Sequence, residues 1–277
     1  MIGIIGQGFV GNAVYQKFKN YYEVLTFDLK AKLCNSTYEE VHRNCHTIFF
    51  CLPTPMNKDG SCHLKLVEKQ LYKLNTACKE DYIKKIVIIK STVPPGTTNK
   101  WNKRFKNLDI IFNPEFLTEA NAVLDYENQT RIILGGPRKT TTKLKPIFSK
   151  VFPKAAIIKT DSTYAEMVKY VTNTFLATKV SFANEMYQIC ERLNVDYDKV
   201  VEYALYDEGL GKSHWAVPGP DGDFGYGGHC FPKDTKALIR VAESLSIHPT
   251  MLISTNTKND EVRTNKDWEN MKGRAVI

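Results

Sequence analysis

A glycine-rich turn near residue 1 constrains the fold of this chain more than any other feature. An apolar run at 1–5 ends in the motif GQGFVG at 6–11, a helix-like segment follows, and a second apolar run ends at Asp28. A strand, a glycine turn, a helix and a strand within about 30 residues form a βαβ unit. The sequence therefore predicts an α/β fold that opens with a phosphate-binding turn.

The spacing of this turn indicates a dinucleotide site. Gly6 allows the tight turn, Gly8 lets the backbone approach a pyrophosphate, and Gly11 lets the helix pack closely on the strand. A carboxylate at Asp28 suits ribose hydroxyls and repels a 2′-phosphate, which favours NAD over NADP. Nearby lysines at 30 and 32 weaken that preference, and a turn without a dinucleotide is the alternative. The cofactor contacts expected in this part of the chain are Gly6, Gly8, Phe9, Val10, Gly11 and Asp28.

Apolar runs separated by helical lengths continue to about residue 160. They lie at 47–52, 85–90, 109–112, 131–134 and 155–158. Such runs are typical of a doubly wound, Rossmann-type parallel sheet covered on both faces. After residue 161 the pattern becomes helical, with helices expected at 163–193, 196–206 and 233–247. We predict a dinucleotide-binding domain at 1–162, a helical domain with a long central helix at 163–262, and a short segment at 263–277.

Composition excludes several classes of protein. No stretch approaches the ~18–20 apolar residues of a membrane span. The formal charge of +8 fits either a basic surface or an anionic ligand, but no basic block is interleaved with aromatic residues, which argues against nucleic acid. The seven cysteines are irregularly spaced and contain no CxxC. With no secretory signal, we expect a cytoplasmic location, no disulfides and no metal site.

Polar residues follow three of the predicted strands. Ligands of open α/β sheets lie beyond the carboxyl ends of the strands, so these residues are candidates for the nicotinamide side of the site. Ordinary turn chemistry is the alternative for each segment. The segments are Pro53-Thr54-Pro55, Ser91-Thr92 and 113–119.

The segment GYGGHCFPKD at 225–234 carries the densest signal in the helical part. Its glycines let the backbone bend around a ligand. Cys230 lies four residues before Asp234, and a thiol at a helix N-terminus near a lysine is activated as a thiolate. An inert buried thiol is the alternative. Lys169 and Asn173 share a face of the long helix by their spacing, although a solvated polar pair would show the same pattern.

These motifs occur together in one known family. The chain resembles the UDP-glucose/GDP-mannose dehydrogenase family, and the resemblance extends over essentially the whole chain. The stretch at 165–185 is also similar to the family's central helix. The shared segments are GQGFVG at 6–11, LPTP at 52–55, STVPPGTT at 91–98, NPEFLTEA at 113–120 and FGYGGHCFPKD at 224–234.

The resemblance implies a four-electron oxidation. The C6 alcohol of a nucleotide sugar, with UDP-glucose favoured over other sugars, becomes a carboxylate while two NAD are reduced. Cys230 would form a thiohemiacetal and then a thioester. The other implied catalytic residues are Lys169 and Asn173 as oxyanion stabilisers, Asp234 acting with Lys169 in proton transfer, Glu115 on the hydrolytic water, and Thr92 and Glu119 in the water network.

The resemblance also implies binding residues and partners. Expected further cofactor contacts are Pro53, Thr54, Thr92, Glu119 and Lys233. Expected substrate contacts are Phe116, Leu117, Glu119, Lys169, Asn173, Phe224 and Gly227. A homodimer through the central helix is implied as well. Family members carry a second α/β domain, and the segment at 272–277 is similar to its first strand, so we expect that domain to be lost or supplied by a separate chain.

Two other functions remain open at this point. The chain is alternatively an NAD-binding homologue with little or no turnover that acts as an interaction subunit. A β-hydroxyacid dehydrogenase also combines a dinucleotide domain, a helical domain and a Lys-x-x-x-Asn pair. That class needs no cysteine nucleophile, and the loop around Cys230 speaks against it.

Overall fold

The computed structural model describes residues 1–277 and contains two compact units. The first unit comprises Met1–Thr54 and Leu64–Lys169. The second comprises Pro55–His63 and Tyr170–Ile277. Each unit has its own packing, described in turn.

The first unit is built on a seven-stranded sheet with the order β2-β1-β3-β4-β5-β6-β7. Every apolar run identified in the sequence forms one of these strands. The chain crosses from one side of β1 to the other between β2 and β3, which makes β1 and β3 the switch point where α/β sheets bind ligands. The strands are β1 (Ile2–Ile5), β2 (Val24–Phe27), β3 (Thr47–Phe50), β4 (Lys85–Ile89), β5 (Leu108–Phe112), β6 (Arg131–Gly135) and β7 (Ala156–Thr160).

The expected Rossmann-type α/β fold is confirmed, with one correction to the sheet. Strands β1 to β5 are mutually parallel, and β6 and β7 are parallel to each other. However, β6 pairs antiparallel to β5 through Phe112 and Gly135. The last two strands therefore run opposite to the first five. An apolar strand reads the same in either direction, so the sequence did not reveal this reversal.

Helices cover both faces of the sheet. Alternate residues of each strand enter opposite cores: Val87 and Ile89 pack with α3 on one face, whereas Ile86 and Ile88 pack with α1 and α6 on the other. Burial on both faces explains why the central strands β1, β3, β4 and β5 are mainly apolar, whereas the edge strand β7 is largely exposed. The helices of the first unit are α1 (Phe9–Phe18), α2 (Tyr38–Asn44), α3 (Lys65–Glu80), α4 (Thr97–Arg104), α5 (Ala122–Glu127) and α6 (Arg138–Val151).

A 32-residue helix, α7 (Ser162–Leu193), runs from the first unit into the second. Three further helices belong to the second unit: α8 (Tyr197–Ala204), α9 (Phe231–Ser244) and α10 (Thr250–Val262). Three short 3₁₀ helices lie at Ala31–Leu33, Glu208–Leu210 and Asp267–Asn270. Helices α7, α8 and α9 correspond to predicted ones. Helix α10 was not predicted, because the residues that it buries are the polar Thr255 and Asn259.

The segment at 272–277 forms a tight turn with isolated bridges rather than a strand. Val276 bridges to Lys272 and to Met56. The Met56 N–H donates to the Ala275 oxygen at 2.7 Å, and the Ile277 N–H donates to the Met56 oxygen at 3.1 Å. Among the helices, none has the length and apolar content needed to cross a membrane. The predicted domain boundaries at 162 and 262 stay predictions.

Candidate active site

The turn between β1 and α1 requires glycine at two positions. Gly6 has a φ of +95°, and a Cβ there would collide with the backbone oxygen of Cys51. A Cβ on Gly11 would collide with the backbone oxygen of Gly6, so helix and strand are as close as the motif predicts. A Cβ on Gly8 would meet nothing within 4 Å. Open space therefore adjoins the backbone where a pyrophosphate would approach.

The surroundings of this turn fit a dinucleotide. Gly8 is the N-cap of α1 and no side chain caps that helix end, which favours a phosphate. The Asp28 carboxylate lies beside the turn, where it accepts the Gln7 N–H at 2.7 Å and the Lys30 N–H at 2.9 Å. Two backbone donors thus fix the orientation of the carboxylate, and its remaining lone pairs suit ribose hydroxyls.

A cavity of about 310 Å³ adjoins the start of α1. Phe9 and Glu119, both predicted cofactor contacts, line it together. Asn12 also lines it, a residue that the sequence analysis did not single out. The remaining lining residues come from the segment 120–124.

Two hydroxyl groups form hydrogen bonds between the segments that follow β3 and β4. The Thr54 hydroxyl donates to the Thr92 backbone oxygen at 2.8 Å, and the Ser91 hydroxyl donates to the Leu52 oxygen. Thr54, Ser91 and Thr92 are buried, whereas Pro53 is exposed. The structure thus brings the predicted residues Thr54 and Thr92 together at the switch-point edge of the sheet.

A buried ion pair joins the end of β5 to α7. The Lys169 ammonium lies 3.0 Å from Glu115 Oε1 and also donates to the Glu115 backbone oxygen. It lies 5.5 Å from the centre of the Phe116 ring. The Leu117 N–H donates to Glu115 Oε2 at 2.8 Å. Four predicted site residues therefore meet in one cluster.

Glu115 stays ionised in this cluster although it is 5% exposed. Burial raises the pKa of Glu115, but the charge of Lys169, the N–H of Leu117 and the charge of Lys90 together outweigh it. The pKa of Glu115 therefore lies below its usual value. Lys90 is a second buried cation here, which the sequence analysis missed.

A second cluster forms inside the second unit at the start of α9. Cys230 is the N-cap, and the Asp234 N–H donates to the Cys230 oxygen at 2.9 Å, so the two residues are one helical turn apart. Asp234 is 1% exposed. Its carboxylate accepts the Asn173 amide at 2.6 Å and pairs with the Lys233 ammonium. The predicted residues Cys230, Lys233 and Asp234 therefore form one cluster with Asn173 of α7.

The ammonium of Lys233 is held by negative charge. Burial lowers the pKa of Lys233 and is the largest single contribution, but the charge and hydrogen bond of Asp234, together with the nearby Cys62 and Cys230, outweigh it. The net pKa lies above the usual value. Lys233 therefore carries a positive charge next to Cys230, as the activation of a thiol requires.

Lys169 and Asn173, which lie one helical turn apart on α7, have different partners. Within the first unit Lys169 pairs with Glu115. Within the second unit Asn173 and Lys233 pair with Asp234. The suggested joint action of Lys169 and Asp234 in proton transfer stays a prediction.

The glycine loop before Cys230 is fastened by residues that follow it in the chain. The Tyr226 N–H donates to Asn259 Oδ1 at 2.6 Å, and the Asn259 amide donates back to the Tyr226 oxygen at 3.0 Å. A Cβ on Gly225 would collide with Asn259, and a Cβ on Gly227 would collide with Arg263. Gly225 also has a φ of +66°, which glycine adopts without strain, so the loop lies close to these two side chains.

Arg263 closes this arrangement from the end of α10. Its side chain is 2% exposed and lies 2.8 Å from Asp221 and 3.5 Å from Asp223. Asp267, which it also contacts, accepts the Gly228 N–H. Phe224, a predicted substrate contact, packs its ring 5.7 Å from that of Tyr187.

Sequence comparison assigns both parts of the chain to one family. The NAD binding domain of the UDP-glucose/GDP-mannose dehydrogenase family matches residues 19–154. The central domain of the same family matches residues 163–261. The chain belongs to this family. Its cofactor is NAD, as the glycine turn and Asp28 predicted.

Several members of the family have well-defined similarity to this chain. UDP-glucose 6-dehydrogenase TuaD of Bacillus subtilis is 36% identical over 223 residues, which are 77% of this chain and 46% of that protein. UDP-glucose 6-dehydrogenase AglM of Haloferax volcanii is 34% identical over 237 residues, which are 80% of this chain and 54% of that protein. The chain spans about half the length of these curated relatives.

A solved structure agrees with this assignment. A UDP-glucose dehydrogenase from the hyperthermophilic archaeon Pyrobaculum islandicum superposes with a TM-score of 0.83 at 27% sequence identity. The match covers 94% of this chain and 68% of that one. The dehydrogenase fold of the family is therefore present here.

The residues that the sequence analysis missed fall into two kinds. The position of Lys90 could have been noticed in the sequence. A lysine that directly follows an apolar strand is expected to be buried, and a buried ammonium needs hydrogen-bond acceptors. Asn259 and Arg263 had no such signal, because they lie about 30 residues beyond the loop that they fasten. Their role depends on tertiary packing alone.

Proposed function

We propose that this chain is an NAD-dependent dehydrogenase that oxidises the C6 alcohol of a nucleotide sugar to a carboxylate, with UDP-glucose the favoured substrate and UDP-glucuronate the product. The observation that carries the proposal is the segment at the start of α9. There a half-buried cysteine occupies the N-cap position, Lys233 and Asp234 are buried within the first turn, and the Asn173 amide donates to Asp234. An enzyme that oxidises an alcohol only to the aldehyde or ketone needs no thiol nucleophile.

The first half of the reaction converts the alcohol to an aldehyde. The hydroxyl group would lose its proton to Asp234 acting with Lys169, and C6 would lose a hydride. Bound NAD would accept one hydride in each of the two oxidations. The turn at 6–11 and Asp28 would hold the cofactor, with Phe9, Val10, Pro53, Thr54, Thr92 and Glu119 as further contacts. Lys169 would stabilise the negative charge on the sugar oxygen, which is the electrostatic role that usually contributes most.

The second half needs the thiol. The Cys230 thiolate adds to the aldehyde carbon and forms a carbon–sulfur bond, and the resulting oxyanion is stabilised by Lys169 and Asn173. Loss of a second hydride from this oxyanion to bound NAD would give the thioester, with no further proton released. Water then adds as Glu115 takes its proton, the carbon–sulfur bond breaks, and the thiolate leaves. The Lys233 ammonium would favour the thiolate form of the sulfur, and Asp234 would hold that ammonium in place.

The expected contacts to the sugar are the backbone at 116–117 in the first unit and the glycine loop in the second. Phe116 and Leu117 support this assignment because both adjoin the Glu115–Lys169 pair. Phe224 and Gly227 support it because they belong to the loop that leads to Cys230. Glu119 and Thr92 would order the water used in hydrolysis.

Counting NADH per substrate tests the proposed reaction. The substrates are UDP-glucose, GDP-mannose and a β-hydroxyacid, each given in limiting amount. We expect two NADH per UDP-glucose. One NADH per β-hydroxyacid, with none from the sugars, would favour a β-hydroxyacid dehydrogenase. NAD binding without NADH formation from any of them would favour a protein that acts only as an interaction subunit.

We also propose a homodimer through α7. One side of this helix carries a row of apolar residues between 37% and 70% exposed, which we call the α7 apolar stripe. Its spacing of three, four or seven residues is that of a helix–helix contact. The stripe consists of Tyr164, Val168, Val171, Phe175, Phe182, Ile189 and Leu193. A second copy of the chain would cover it, while a separate chain supplying further substrate contacts stays a prediction.

The location of the protein in the cytoplasm also stays a prediction. It is supported by the seven cysteines, which form no disulfide in the structure. Reduced thiols persist in a reducing compartment, and the proposed chemistry of Cys230 requires a reduced sulfur.

A further inference from the structure

Lys90 is a buried cation at the carboxyl end of β4 to which the proposed mechanism gives no role. It is 2% exposed. Its ammonium donates to Asn113 Oδ1 at 3.0 Å and to the Pro114 backbone oxygen at 3.3 Å. A lysine is rarely buried without a partner, because desolvation of its charge costs several kcal/mol. These two acceptors are neutral, so they do not balance its charge.

The contacts of Lys90 fix the turn that presents Glu115. Asn113 accepts from Lys90 and donates its own amide to the Ile133 oxygen at 2.8 Å. The side chain of Asn113 therefore links β4 to β6 across the end of β5. Pro114 and Glu115 follow Asn113 directly in the chain. The two bonds from Lys90 therefore fix the backbone from which the Glu115 side chain extends.

The charges in this cluster do not cancel. Two buried ammonium groups, Lys90 and Lys169, surround the one buried carboxylate of Glu115. Lys169 contacts the carboxylate directly at 3.0 Å. Lys90 acts on it through space and lowers the pKa of Glu115. A pair of Glu115 and Lys169 alone would be neutral, whereas the three groups together carry one positive charge.

The groups that face Lys90 come from every neighbouring element. Cys51 follows β3, and Tyr126 on α5 places its ring 5.3 Å from the ammonium. Glu115 and Lys169 complete the set. Burial lowers the pKa of Lys90 to about 8, with Lys169 lowering it further and Cys51 and Glu115 opposing. Lys90 is thus charged at neutral pH and loses its proton in a mildly alkaline range.

We propose that Lys90 is a positioning residue that anchors the Asn113–Pro114 turn and supplies the second positive charge that keeps Glu115 a carboxylate inside the protein. This inference rests on the proposed role of Glu115 as the group that activates the hydrolytic water. A base must be ionised to accept a proton, and burial alone would favour its neutral form. Lys169 is needed for the sugar oxyanion, so a second cation lets Glu115 stay charged when Lys169 turns to the substrate.

The test compares two buried lysines of the same strand. Lys90→Met removes the proposed cation. Lys85→Met is the matched control, because Lys85 is 3% exposed at the opposite end of β4 and donates to the Cys45 oxygen at 2.7 Å. Infrared difference spectra of the protein without substrate, assigned with Glu115→Gln, follow the protonation of Glu115 between pH 4 and pH 9. Circular dichroism reports whether each variant is folded.

We expect Glu115 to take up its proton at a higher pH in Lys90→Met than in the wild type, and at the wild-type pH in Lys85→Met. In Lys90→Met we also expect kcat for acid formation to fall about tenfold or more, with KM changed less than about threefold. An unchanged titration of Glu115 in folded Lys90→Met would overturn the inference. A similar shift in both lysine variants would show a general structural effect and overturn it too.

The wild type offers a second measurement if Lys90→Met does not fold. The carboxylate band of Glu115 should shift between pH 7 and pH 9 as Lys90 loses its proton, and a constant band would contradict the inference. The spectra need neither NAD nor sugar, so they remain informative if the proposed function fails. Conversely, two NADH per sugar together with an unresponsive Glu115 would contradict the role of Lys90 alone.

Discussion

We predict that one side chain, Asp28, decides which dinucleotide this chain accepts. Its two oxygens are held by the N–H groups of Gln7 and Lys30, so the carboxylate is aimed before the ligand arrives. Charged hydrogen bonds of this kind contribute about 1.5–3 kcal/mol each. The carboxylate also repels a ribose 2′-phosphate.

Asp28→Ala should weaken NAD binding about tenfold or more and narrow the difference between NAD and NADP. Calorimetry with each dinucleotide measures both effects. Asp59→Ala is the control, because Asp59 also accepts a backbone N–H, from Ser61 at 2.9 Å, but lies in a loop of the second unit. Equal NAD affinity in wild type and Asp28→Ala would refute the assignment.

At the residue scale, local motifs were predictable and long-range partners were not. The glycine turn and Asp28 follow from spacing within 30 residues, and Cys230 and Asp234 from one helical turn. The partner of Lys169 was not predictable in the same way. Glu115 lies 54 positions away, and both residues were named as site residues without any sign that they touch.

Helix α10 could not be predicted from the spacing of apolar residues. Its two buried residues, Thr255 and Asn259, are polar, so no apolar stripe marks the helix. Asn259 nevertheless holds the loop before Cys230 through two hydrogen bonds to Tyr226. The helix contributes to the site by positioning the loop.

Asn259→Ala should lower kcat about tenfold, because the loop that leads to Cys230 loses both bonds to Tyr226 and leaves buried backbone groups unpaired. The rate of Cys230 alkylation, read by mass spectrometry of the peptide, should change as well. Asn256→Ala is the control, since Asn256 lies on the same helix and bonds only to the exposed Asp260 at 2.9 Å. Identical kinetics and alkylation in wild type and Asn259→Ala would show that α10 does not position the loop.

The α7 apolar stripe leads to a prediction about assembly. Phe175 is 66% exposed and Val171 is 55% exposed near the middle of the helix. Central apolar residues contribute most to helix–helix interfaces. Phe175→Glu should raise the dissociation constant of the dimer at least about tenfold, as measured by sedimentation. Glu191→Lys, an exposed change off the stripe, should not. A wild-type chain that is monomeric at all concentrations would contradict the proposed dimer.

At the scale of the whole molecule, one buried carboxyl group links stability to pH. Glu166 on α7 is fully buried and accepts the N–H groups of Gly96 and Thr98, at 2.6 and 2.8 Å, at the start of α4. Burial raises its pKa to about 7, although the bonds to Thr98 and Gly96 oppose the change. Folding is therefore favoured when this group is protonated.

The sign of the effect follows from this raised pKa. Well below pH 4.5, the carboxyl group is protonated in both the folded and the unfolded state and has no effect on stability. As pH rises towards 7 the unfolded chain ionises first, so the wild type should lose up to about 3 kcal/mol of unfolding free energy relative to Glu166→Gln. Urea unfolding of both proteins at pH 5 and pH 8 measures it. A constant difference between them would contradict the raised pKa.

The architecture itself was largely predictable because its central strands are buried on both faces and therefore mainly apolar. All seven strands and the long helix lie close to their predicted positions. The reversed direction of β6 was not predictable, since pairing direction leaves no trace in an apolar run. The partners of the buried charged groups, Lys90 above all, depend on which strand ends lie side by side. The sequence alone does not show that arrangement.

The most direct test of the account is acid formation by Cys230→Ser, with NADH and sugar acid counted from a limiting amount of UDP-glucose. The wild type should yield two NADH and one UDP-glucuronate per sugar. The variant should bind NAD with unchanged affinity but form no UDP-glucuronate, because a serine hydroxyl is a far weaker nucleophile than a thiolate. UDP-glucuronate formed by Cys230→Ser at the wild-type rate would show that the sulfur takes no part in the chemistry.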